Sequence, residues 1–477
     1  MEFQDHLSAP RGRHALADWP HTGAAGGAAC GDLVRVAVRV EGERIAEAGF
    51  DAKGCGAALA AGSAVVELVE GRPFLEAARI TPDHVSTALG GLIAPKRHAA
   101  TLAADALHRA LGSAAKAGAV EHGASARRTL VALSGGVDSA AVAQLALDAG
   151  DEVVAVTLEL WSDPAGDGER SCCSPQAVAG ARELAHQMGI PHITLDMRDR
   201  FRKEVVDRFI AGYAEGSTPN PCVTCNGNVR FDVMLELAER LGAARLATGH
   251  YARIARDGRG PLIRAGADPA KDQSYMLARL DPDVLDLLSF PLGSLSKDAV
   301  RTFARESGLP VADRRESQDL CFVAGLGARG FLRRHGGPRL RRPGPLVERD
   351  GRVVGSHEGQ HEFTVGQRRG LNISGSEPLY VLDKNAATGA VTVGPREALA
   401  ATAVRLDGAR LHRPAATVES VRLRYHAKPL ACRVRELGPG SLELALNEPA
   451  HAVAPGQLAC LMRDDCVVGE GTIEKSW

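Results

Sequence analysis

The stretch Ser134-Gly135-Gly136-Val137-Asp138-Ser139 decides the fold of the middle of this chain. It lies between an apolar run at residues 130–133 and a helix-favouring run at 140–147. A strand that turns through two glycines into a helix presents backbone N–H groups to an anion, and the helix dipole favours phosphate there. Glycines permit the tight turn and the close approach of a ligand. The stretch predicts a phosphate-binding loop, and the alternative is an ordinary strand–helix turn.

The polar side chains of this loop indicate its chemistry. The serines add hydroxyl donors, and Asp138 can orient water or hold Mg²⁺. This is not the Walker pattern, because no Gly-Lys-Ser/Thr follows. The stretch resembles the pyrophosphate loop of the ATP pyrophosphatase superfamily, whose members adenylate an oxygen and release pyrophosphate. That resemblance implies an ATP site formed by Ser134, Gly135, Gly136, Val137, Asp138, Ser139, Leu158, Gly249 and His250.

Composition bounds the class of protein. The 477 residues are enough for about three domains. Hydrophobic residues make up 45% and charged residues 24%, as in ordinary soluble globular proteins. No apolar run has membrane-spanning length, and the N-terminus lacks the regions of a secretory signal. We therefore expect a cytoplasmic protein without membrane contact. A net charge of −1 carries no global nucleic-acid signature.

Strands alternate with helices in the middle of the chain. Strands are predicted at 129–133, 152–160, 192–195 and 245–248, and helices at 139–149, 175–188, 200–214 and 229–241. This alternation predicts a doubly wound parallel sheet with ligands at the carboxyl ends of its strands. Short β-type runs at 363–365, 379–382, 390–393, 417–424 and 431–435 predict one or two small barrels.

These patterns divide the chain into six parts. The first domain has strand-like alternation over 31–50 and helix-like segments at 57–69 and 97–111. An Ala/Gly-rich stretch separates it from the nucleotide-binding domain. The predicted parts are a mobile leader (1–25), an α+β domain (26–111), a linker (112–126), the nucleotide-binding α/β domain with a helical extension (127–325), a small β-rich domain (326–395) and a C-terminal barrel (396–477).

Four further segments of the central region carry reactive side chains. They are Thr218-Pro219-Asn220-Pro221-Cys222-Val223-Thr224-Cys225-Asn226 in a predicted loop, Ala247-Thr248-Gly249-His250-Tyr251 at a strand end, Lys271-Asp272-Gln273-Ser274-Tyr275, and Glu316-Ser317-Gln318-Asp319-Leu320-Cys321-Phe322. With the loop at Ser134, and with Phe363-Thr364-Val365-Gly366-Gln367-Arg368-Arg369-Gly370 and Pro455-Gly456-Gln457 further on, they resemble the tRNA 2-thiouridylase family. The resemblance covers residue 127 to the C-terminus.

That resemblance implies sulfur transfer to the C2 position of the wobble uridine of tRNA. Adenylation makes the C2 oxygen a leaving group, and a cysteine then delivers sulfur. By motif match Cys321 carries the persulfide and Cys225 resolves it, while Asp138 supports the ATP reaction. The persulfide-type members of the family carry an aspartate where this chain has Cys222, whereas the three cysteines resemble a cysteine-type branch of it. Three thiolates at Cys222, Cys225 and Cys321 can instead hold a [4Fe–4S] cluster with one open iron. Zinc, or a simply buried Cys222, are the remaining alternatives.

The first domain resembles a second family, the NifU-like iron–sulfur scaffolds. The matching segments are Ala29-Cys30-Gly31-Asp32, Lys53-Gly54-Cys55-Gly56-Ala57-Ala58 and Lys96-Arg97-His98. The resemblance implies a zinc or iron site at Cys30, Asp32, Cys55 and His98, with Ala99 where the family has a third cysteine. The alternative is a degenerate domain kept for its fold or for docking a sulfur donor. A flexible linker of about 15 residues would make delivery to the second domain intramolecular.

The remaining cysteines and a basic run complete the set of candidates. Cys172 and Cys173 are peripheral structural residues or a sulfur relay, and Cys432, Cys460 and Cys466 are structural. Expected partners are tRNA and a sulfur donor such as a cysteine desulfurase or relay protein. Arginines that either contact tRNA or line a solvated loop are Arg329, Arg333, Arg334, Arg339, Arg341 and Arg342, with Arg422, Arg424, Arg433 and Arg435 as further tRNA candidates. Two other functions are weighed: a different ATP pyrophosphatase of the amidotransferase-type ligases, and a non-enzymatic sulfur or cluster carrier.

Overall fold

The computed structural model describes residues 2–26, 31–162, 174–314, 321–338, 340–373 and 377–477. These residues form an N-terminal α+β region, a central parallel sheet and two C-terminal β-structures. The predicted fold class, an α+β domain followed by a doubly wound α/β domain and small β-barrels, is confirmed. No helix in this described part combines the length and apolarity that a membrane crossing needs.

The N-terminal region packs a three-stranded antiparallel sheet against two long helices. Its elements are α1 (Phe3–Ser8), β1 (His21–Gly26), β2 (Leu33–Glu41), β3 (Arg44–Lys53), α2 (Gly56–Val69), α3 (Phe74–Ala77), α4 (Pro82–Ala88) and α5 (Arg97–Lys116). Alternation along β2 places Val34, Val36 and Val38 in the core with no exposed surface. Alanines on α2 and α5 allow the two helices to pack closely on this face.

The prediction of a mobile leader is wrong. β1 pairs along its length with β2, from His21 opposite Val38 to Gly26 opposite Leu33. α1 is tied to α2 because the buried His6 ring lies 2.9 Å from the Ser63 hydroxyl. The glycines and alanines that suggest mobility are needed for close packing, since a Cβ on Gly23 would overlap the backbone of α5.

The central region contains the five-stranded parallel sheet. Its elements are β4 (Ser125–Ala132), α6 (Val137–Asp148), β5 (Glu152–Glu159), α7 (Pro175–Gln187), β6 (His192–Asp196), α8 (Arg198–Phe201), α9 (Asp207–Ala214), α10 (Pro221–Cys225), α11 (Phe231–Arg240), β7 (Ala243–Ala247), β8 (Ala252–Asp257), β9 (Gly260–Ala265), β10 (Leu288–Ser289), α12 (Lys297–Glu306) and α13 (Gly327–His335). The strand order is β10-β7-β4-β5-β6. The four predicted strands are therefore present as β4 to β7, and the loop at Ser134 follows the middle strand, where an α/β sheet binds ligands.

The two C-terminal β-structures have different sheets. Their strands are β11 (Gly344–Glu348), β12 (Val353–His357), β13 (Tyr380–Lys384), β14 (Val391–Gly394), β15 (Ala400–Leu411), β16 (Ser420–Arg422), β17 (Leu430–Gly438), β18 (Ser441–His451), β19 (Leu458–Arg463) and β20 (Cys466–Ser476). β11 to β14 form one sheet, while β15 to β20 close into a barrel through the β15–β20 pairing. The hairpin β8–β9 of the central region extends this barrel sheet through β20.

Two local predictions differ from the structure. The segment 363–365 is not a strand, because Phe363 packs into the core of the β11–β14 sheet and Val365 into a separate cluster with Leu399 and Ala454. Residues 112–116, predicted as the start of a flexible linker, are the last turn of α5. Gly112 is buried there, so its low side-chain volume serves close packing rather than mobility.

Candidate functional site

The predicted phosphate loop is a turn held by its own serines. Ser134 N–H donates to Ser139 Oγ (3.1 Å), and the Ser139 hydroxyl donates to the Gly136 carbonyl (3.0 Å). Gly135 has φ +74°, a conformation that favours glycine. Gly136 is the N-cap of α6. Because glycine has no side chain, it does not cap the first N–H groups of the helix. The N–H groups of the loop at the start of α6 are thus free to donate hydrogen bonds to an anion.

The Asp138 carboxylate, in the first turn of α6, is held by two side chains that the sequence analysis gave no role. Lys297 Nζ donates to both carboxylate oxygens at 2.7 and 2.8 Å, and the Tyr251 hydroxyl donates to Oδ1 at 2.7 Å. The Lys297 side chain is only 9% exposed. One signal was available in the sequence: Lys297 follows the N-cap Ser296, where a helix dipole disfavours a cation.

The Thr248–Tyr251 segment lies directly against the loop. A Cβ on Gly249 would lie 3.1 Å from both the Asp138 Cβ and the Ser139 nitrogen, so only glycine fits this approach comfortably. The His250 ring packs beside Phe231 and Phe290, and its Nδ1 lies 2.8 Å from the Thr248 hydroxyl. Burial, together with the charge of Arg230, lowers the pKa of His250 to about 3. His250 is therefore a neutral ring beside the loop.

Thr157 of β5 and Arg314 form hydrogen bonds that connect the loop to its surroundings. Leu158, predicted to contact the nucleotide, is a buried residue near the end of β5, opposite Leu195. Its neighbour Thr157 donates its hydroxyl hydrogen bond to the Leu133 carbonyl at 2.6 Å, one residue before the loop. Arg314 donates to the Gly135 carbonyl at 3.1 Å and adds a positive charge next to the loop.

The Cys-x-x-Cys segment is a helix rather than a loop. Asn220 caps α10 by accepting from the backbone N–H groups of Cys222 (3.1 Å) and Val223 (3.4 Å). Spacing of i and i+3 places the two cysteines on one helix face. Cys225 is buried and Cys222 is partly exposed. A π-helical turn at Asn226–Arg230 follows, a feature that is common at functional sites.

The third candidate cysteine, Cys321, comes from another part of the chain. It starts a 3₁₀ turn whose next residue, Phe322, packs edge-on against Phe201 and Phe209 at 5.7 and 5.2 Å. α10 packs on a second π-helical turn, Arg202–Val206, which lies between Phe201 and Phe209 in the sequence. Cys225 and Cys321 thus belong to the same hydrophobic cluster. Residues 316–320 of the predicted motif, and Cys172 and Cys173, lie outside the described residues.

The described cysteines of the C-terminal barrel have a different character. Cys432, Cys460 and Cys466 are free thiols, and the first two are buried. Burial raises the pKa of Cys432 to about 11 and that of Cys460 to about 12. Such thiols are neutral and unreactive, which agrees with the prediction that they are structural.

The N-terminal site brings three of the four predicted ligands together. Ligand atoms of Asp32, Cys55 and His98 all lie within 4.8 Å of one another. Cys55 Sγ is 3.2 Å and His98 Nε2 is 2.9 Å from Asp32 Oδ2. Hydrogen bonds from His98 and from the Cys55 backbone hold the pKa of Asp32 below its usual range. The fourth predicted ligand, Cys30, lies outside the described residues.

The hydrogen bonding of this site suits a metal ion. His98 Nδ1 lies 3.0 Å from the Pro95 carbonyl, which can only accept, so this nitrogen carries a proton. The other nitrogen and the Asp32 carboxylate are both acceptors and need a proton or a metal ion between them. Thiolate, imidazole and carboxylate are zinc ligands, and the Pro95 contact is the outer-shell bond typical of a ligating histidine.

A basic cavity of about 710 Å³ lies where the central region meets the two C-terminal structures. Its described lining includes three arginines and no carboxylate. The lining residues are Thr218, Arg329, Thr364, Val365, Gly366, Gln367, Arg369, Gly370, Arg424, Ala454 and Gln457. Of the described arginines in the predicted six-arginine run, only Arg329 lines this cavity. Part of the run lies in α13 rather than in a loop, and Arg339 is outside the described residues.

Other candidate arginines are committed to protein contacts. Arg333 pairs with Glu362 at 2.7 Å, and Arg422 pairs with Asp272 at 2.5 Å. Arg435 pairs with Glu443 at 2.5 Å. These residues stabilise packing between segments, so the cavity arginines are the stronger candidates for an anionic ligand.

The central region is an α/β domain with a glycine-containing loop at the carboxyl edge of its parallel sheet, and four family models match successive parts of the chain. A family described as tRNA methyl transferase HUP domain matches residues 127–325, and the NifU-like N terminal domain matches 1–117. The tRNA methyl transferase PRC-barrel domain matches 329–395, and the aminomethyltransferase beta-barrel domain matches 402–473. These families cover most of the chain.

A relative that spans nearly the whole chain, and another that spans about three quarters of it, make the assignment specific. A bifunctional protein NifU/MnmA of Rubrobacter xylanophilus is 45% identical over 99% of this chain and 97% of its own length. A tRNA-specific 2-thiouridylase MnmA of Sorangium cellulosum is 44% identical over 74% of this chain and 94% of its own length. NMN synthetase of Francisella tularensis, a solved structure, is 18% identical over 40% of this chain and 66% of its own, with a TM-score of 0.27. The chain belongs to the MnmA-type 2-thiouridylase family and carries an N-terminal NifU-like domain.

Proposed function

We propose that this protein is an ATP-dependent tRNA-uridine 2-sulfurtransferase that acts on the wobble uridine. The observation that carries the proposal is the meeting of a phosphate loop and a cysteine-bearing helix at one edge of the sheet. Phe231 of α11, which continues the helix of Cys225, packs on His250, and Gly249 contacts the loop. Whole-chain similarity to 2-thiouridylases supports the same assignment.

The loop supplies the activation step. The uridine C2 oxygen attacks the α-phosphorus of ATP, pyrophosphate leaves, and the N–H groups of the Ser134–Ser139 loop stabilise the phosphates. Mg²⁺ at Asp138 would neutralise further phosphate charge. Because the Asp138 carboxylate is bonded to Lys297 and Tyr251, we propose that these two residues position it.

The thiols supply the second step. In the persulfide route, the outer sulfur on Cys321 attacks C2, and AMP leaves with the former C2 oxygen. The Cys225 thiolate then attacks Cys321 Sγ, the bond between Cys321 Sγ and the outer sulfur breaks, and 2-thiouridine is released as the Cys225–Cys321 disulfide forms. A thiol reductant then restores both cysteines. In the alternative route, Cys222, Cys225 and Cys321 would hold a [4Fe–4S] cluster, which supplies an open iron for sulfide. The Cys222 and Cys225 thiols on one helix face fit either route.

The basic cavity is the proposed contact for the tRNA backbone. Arg329, Arg369 and Arg424 come from three separate segments, and phosphate contacts by arginine orient nucleic acid without reading sequence. A target base must leave its stack to reach a buried thiol. The cavity is next to Thr218, four residues before Cys222, so a bound backbone would lie near the cysteine helix.

Thionucleoside analysis of tRNA tests the main proposal. Cells lacking the protein should lose 2-thiouridine, and the purified protein with ATP, tRNA and a sulfur source should restore it with release of AMP and pyrophosphate. Unchanged 2-thiouridine in the deletion strain contradicts the proposal. Consumption of ATP with a small-molecule acceptor, and not with tRNA, would favour an amidotransferase-type ligase instead.

A Cys222→Asp variant separates the two sulfur routes. If it retains activity without bound iron after anaerobic purification, the persulfide route is supported and the cluster is contradicted. If activity and iron are lost together, while Cys466→Ser retains both, the cluster is supported. Cys466 is a suitable control because it is a partly exposed thiol at the start of the barrel strand β20 and is not one of the three proposed cluster ligands.

A further inference from the structure

Helix α5 of the N-terminal domain lies beside the edge strand β6 of the catalytic sheet. At the start of β6, His192 N–H donates to the Ala78 carbonyl at 3.1 Å. In the middle, Gly112 lies so close to the Thr194 carbonyl that a Cβ there would overlap it. At the end, Lys116 Nζ donates to the Asp196 carbonyl at 2.6 Å. α5 therefore runs in the same direction as β6 and ends at the carboxyl edge of the sheet.

This direction places the two sites at opposite edges. The phosphate loop lies at the carboxyl edge, where α5 ends, whereas His98 is in the first turn of α5. The helix rises about 27 Å between His98 and Lys116. The Asp32, Cys55 and His98 site therefore lies beyond the amino edge of the sheet, more than two helix widths from the level of the loop.

Side chains of both domains stabilise the contact between α5 and the catalytic domain. Asp105 of α5 forms an ion pair with Arg182 of α7. The buried His108 ring packs 5.2 Å from the partly buried His186 ring across the same contact. α5 and Ala78 also cover the otherwise unpaired edge of β6, which would be costly to expose.

The connection between the domains adds further restraints. The backbone of Glu121 donates to Gly42 on one side, and that of His122 donates to Arg240 on the other, at 3.2 and 2.8 Å. Ser125 N–H donates to Gly242 at 2.8 Å. The segment predicted as a linker is thus hydrogen-bonded to both domains, which opposes a swing that would bring the two sites together.

We infer that the N-terminal site of one molecule serves the thiolation site of another, by intermolecular exchange through solution. This inference rests on the proposed function. For sulfur carried as a persulfide on Cys55, an acceptor thiolate attacks the outer sulfur, the bond to Cys55 breaks, and Cys55 returns to a thiolate. No oxidant is consumed. The site is accessible to a partner, because the His98 side chain is 38% exposed.

Two complementary variants test this exchange. The donor chain carries Cys225→Ser and retains the N-terminal site; the acceptor chain carries Cys55→Ser and retains the thiolation site. Both are mixed with ATP, tRNA, cysteine and a cysteine desulfurase. We expect mass spectrometry to find extra sulfur on the Cys321 peptide of the acceptor chain, and 2-thiouridine to rise with donor concentration. The wild-type rate per molecule should fall on dilution.

Two results would overturn the inference. One is a mixture that forms no more 2-thiouridine than the acceptor alone, while the wild type is active and its rate per molecule does not change on dilution. The other is an acceptor that is fully active without any donor. An acceptor that forms no 2-thiouridine with either a small-molecule persulfide or inorganic sulfide as the sulfur source would instead contradict the proposed function. Placing the two chains on opposite sides of a dialysis membrane distinguishes the carriers: persistence of transfer assigns a small soluble sulfur species, and loss assigns direct contact between chains.

Discussion

Lys297→Met is the sharpest perturbation of the catalytic loop. It removes the ammonium that contacts both oxygens of Asp138, at 2.7 and 2.8 Å, while keeping the length of the side chain. Removing one partner of a fully buried pair costs about 3–5 kcal/mol. The Asp138 side chain is 31% exposed, so water takes up part of its charge. We therefore expect a loss of about 2 kcal/mol of unfolding free energy.

Thermal unfolding measures this loss. For a domain of this size, 2 kcal/mol corresponds to a fall in Tm of roughly 4–8 °C. ATP should also stabilise the variant less than the wild type, because Asp138 and the start of α6 are no longer fixed. Lys203→Met is the matched control, since Lys203 is exposed, and its Tm should remain near that of the wild type.

A double-mutant cycle with Asp138→Asn isolates the ion pair. Without its charge, Asp138 no longer needs the ammonium, so the double variant should lose less stability than the two single variants added together. Strictly additive losses, or a Lys297→Met variant within about 0.5 kcal/mol of the wild type, would refute the reasoning.

Three further predictions follow from single residues. Folded His250 stays neutral down to about pH 3, whereas an unfolded histidine takes a proton near pH 6.5, so the free energy of unfolding falls as the pH is lowered across that window. His250→Asn should reduce the slope of unfolding free energy against pH by up to about 1.4 kcal/mol per pH unit, as measured by denaturant titration. An unchanged slope would contradict the burial argument. Asp32→Asn should weaken zinc binding by about 10–100-fold in a chelator competition, whereas Asp51→Asn should not. Gly112→Val should lower the free energy of unfolding by about 1–3 kcal/mol and speed hydrogen exchange in β6, because the valine side chain would overlap the Thr194 carbonyl. Equal exchange rates in this variant and in the α5 control Thr101→Val would argue against tight packing of α5 on β6.

Local sequence patterns were sufficient for the elements and for the family. The glycine turn at Ser134 and the alternation of strands and helices predicted the parallel sheet, because periodicity and turn chemistry act over a few residues. The Cys-x-x-Cys spacing predicted that Cys222 and Cys225 act together as ligands, but the segment was expected to be a loop, and only the structure shows that both cysteines share one face of a helix. The grouping of Asp32, Cys55 and His98 came from a resemblance of motifs, and the proposed ligand roles stay predictions.

Only the tertiary structure decided what surrounds these residues. Lys297 reaches Asp138 across 159 residues, and no local pattern relates them. The first 25 residues and the stretch after 111 suggested mobility because they are rich in glycine and alanine, yet small residues also permit the closest packing of strand and helix. Which of these two uses applies depends on whether another surface is present to pack against. For Gly23 that surface is α5, and for Gly112 it is β6, a strand whose edge the sequence alone did not reveal.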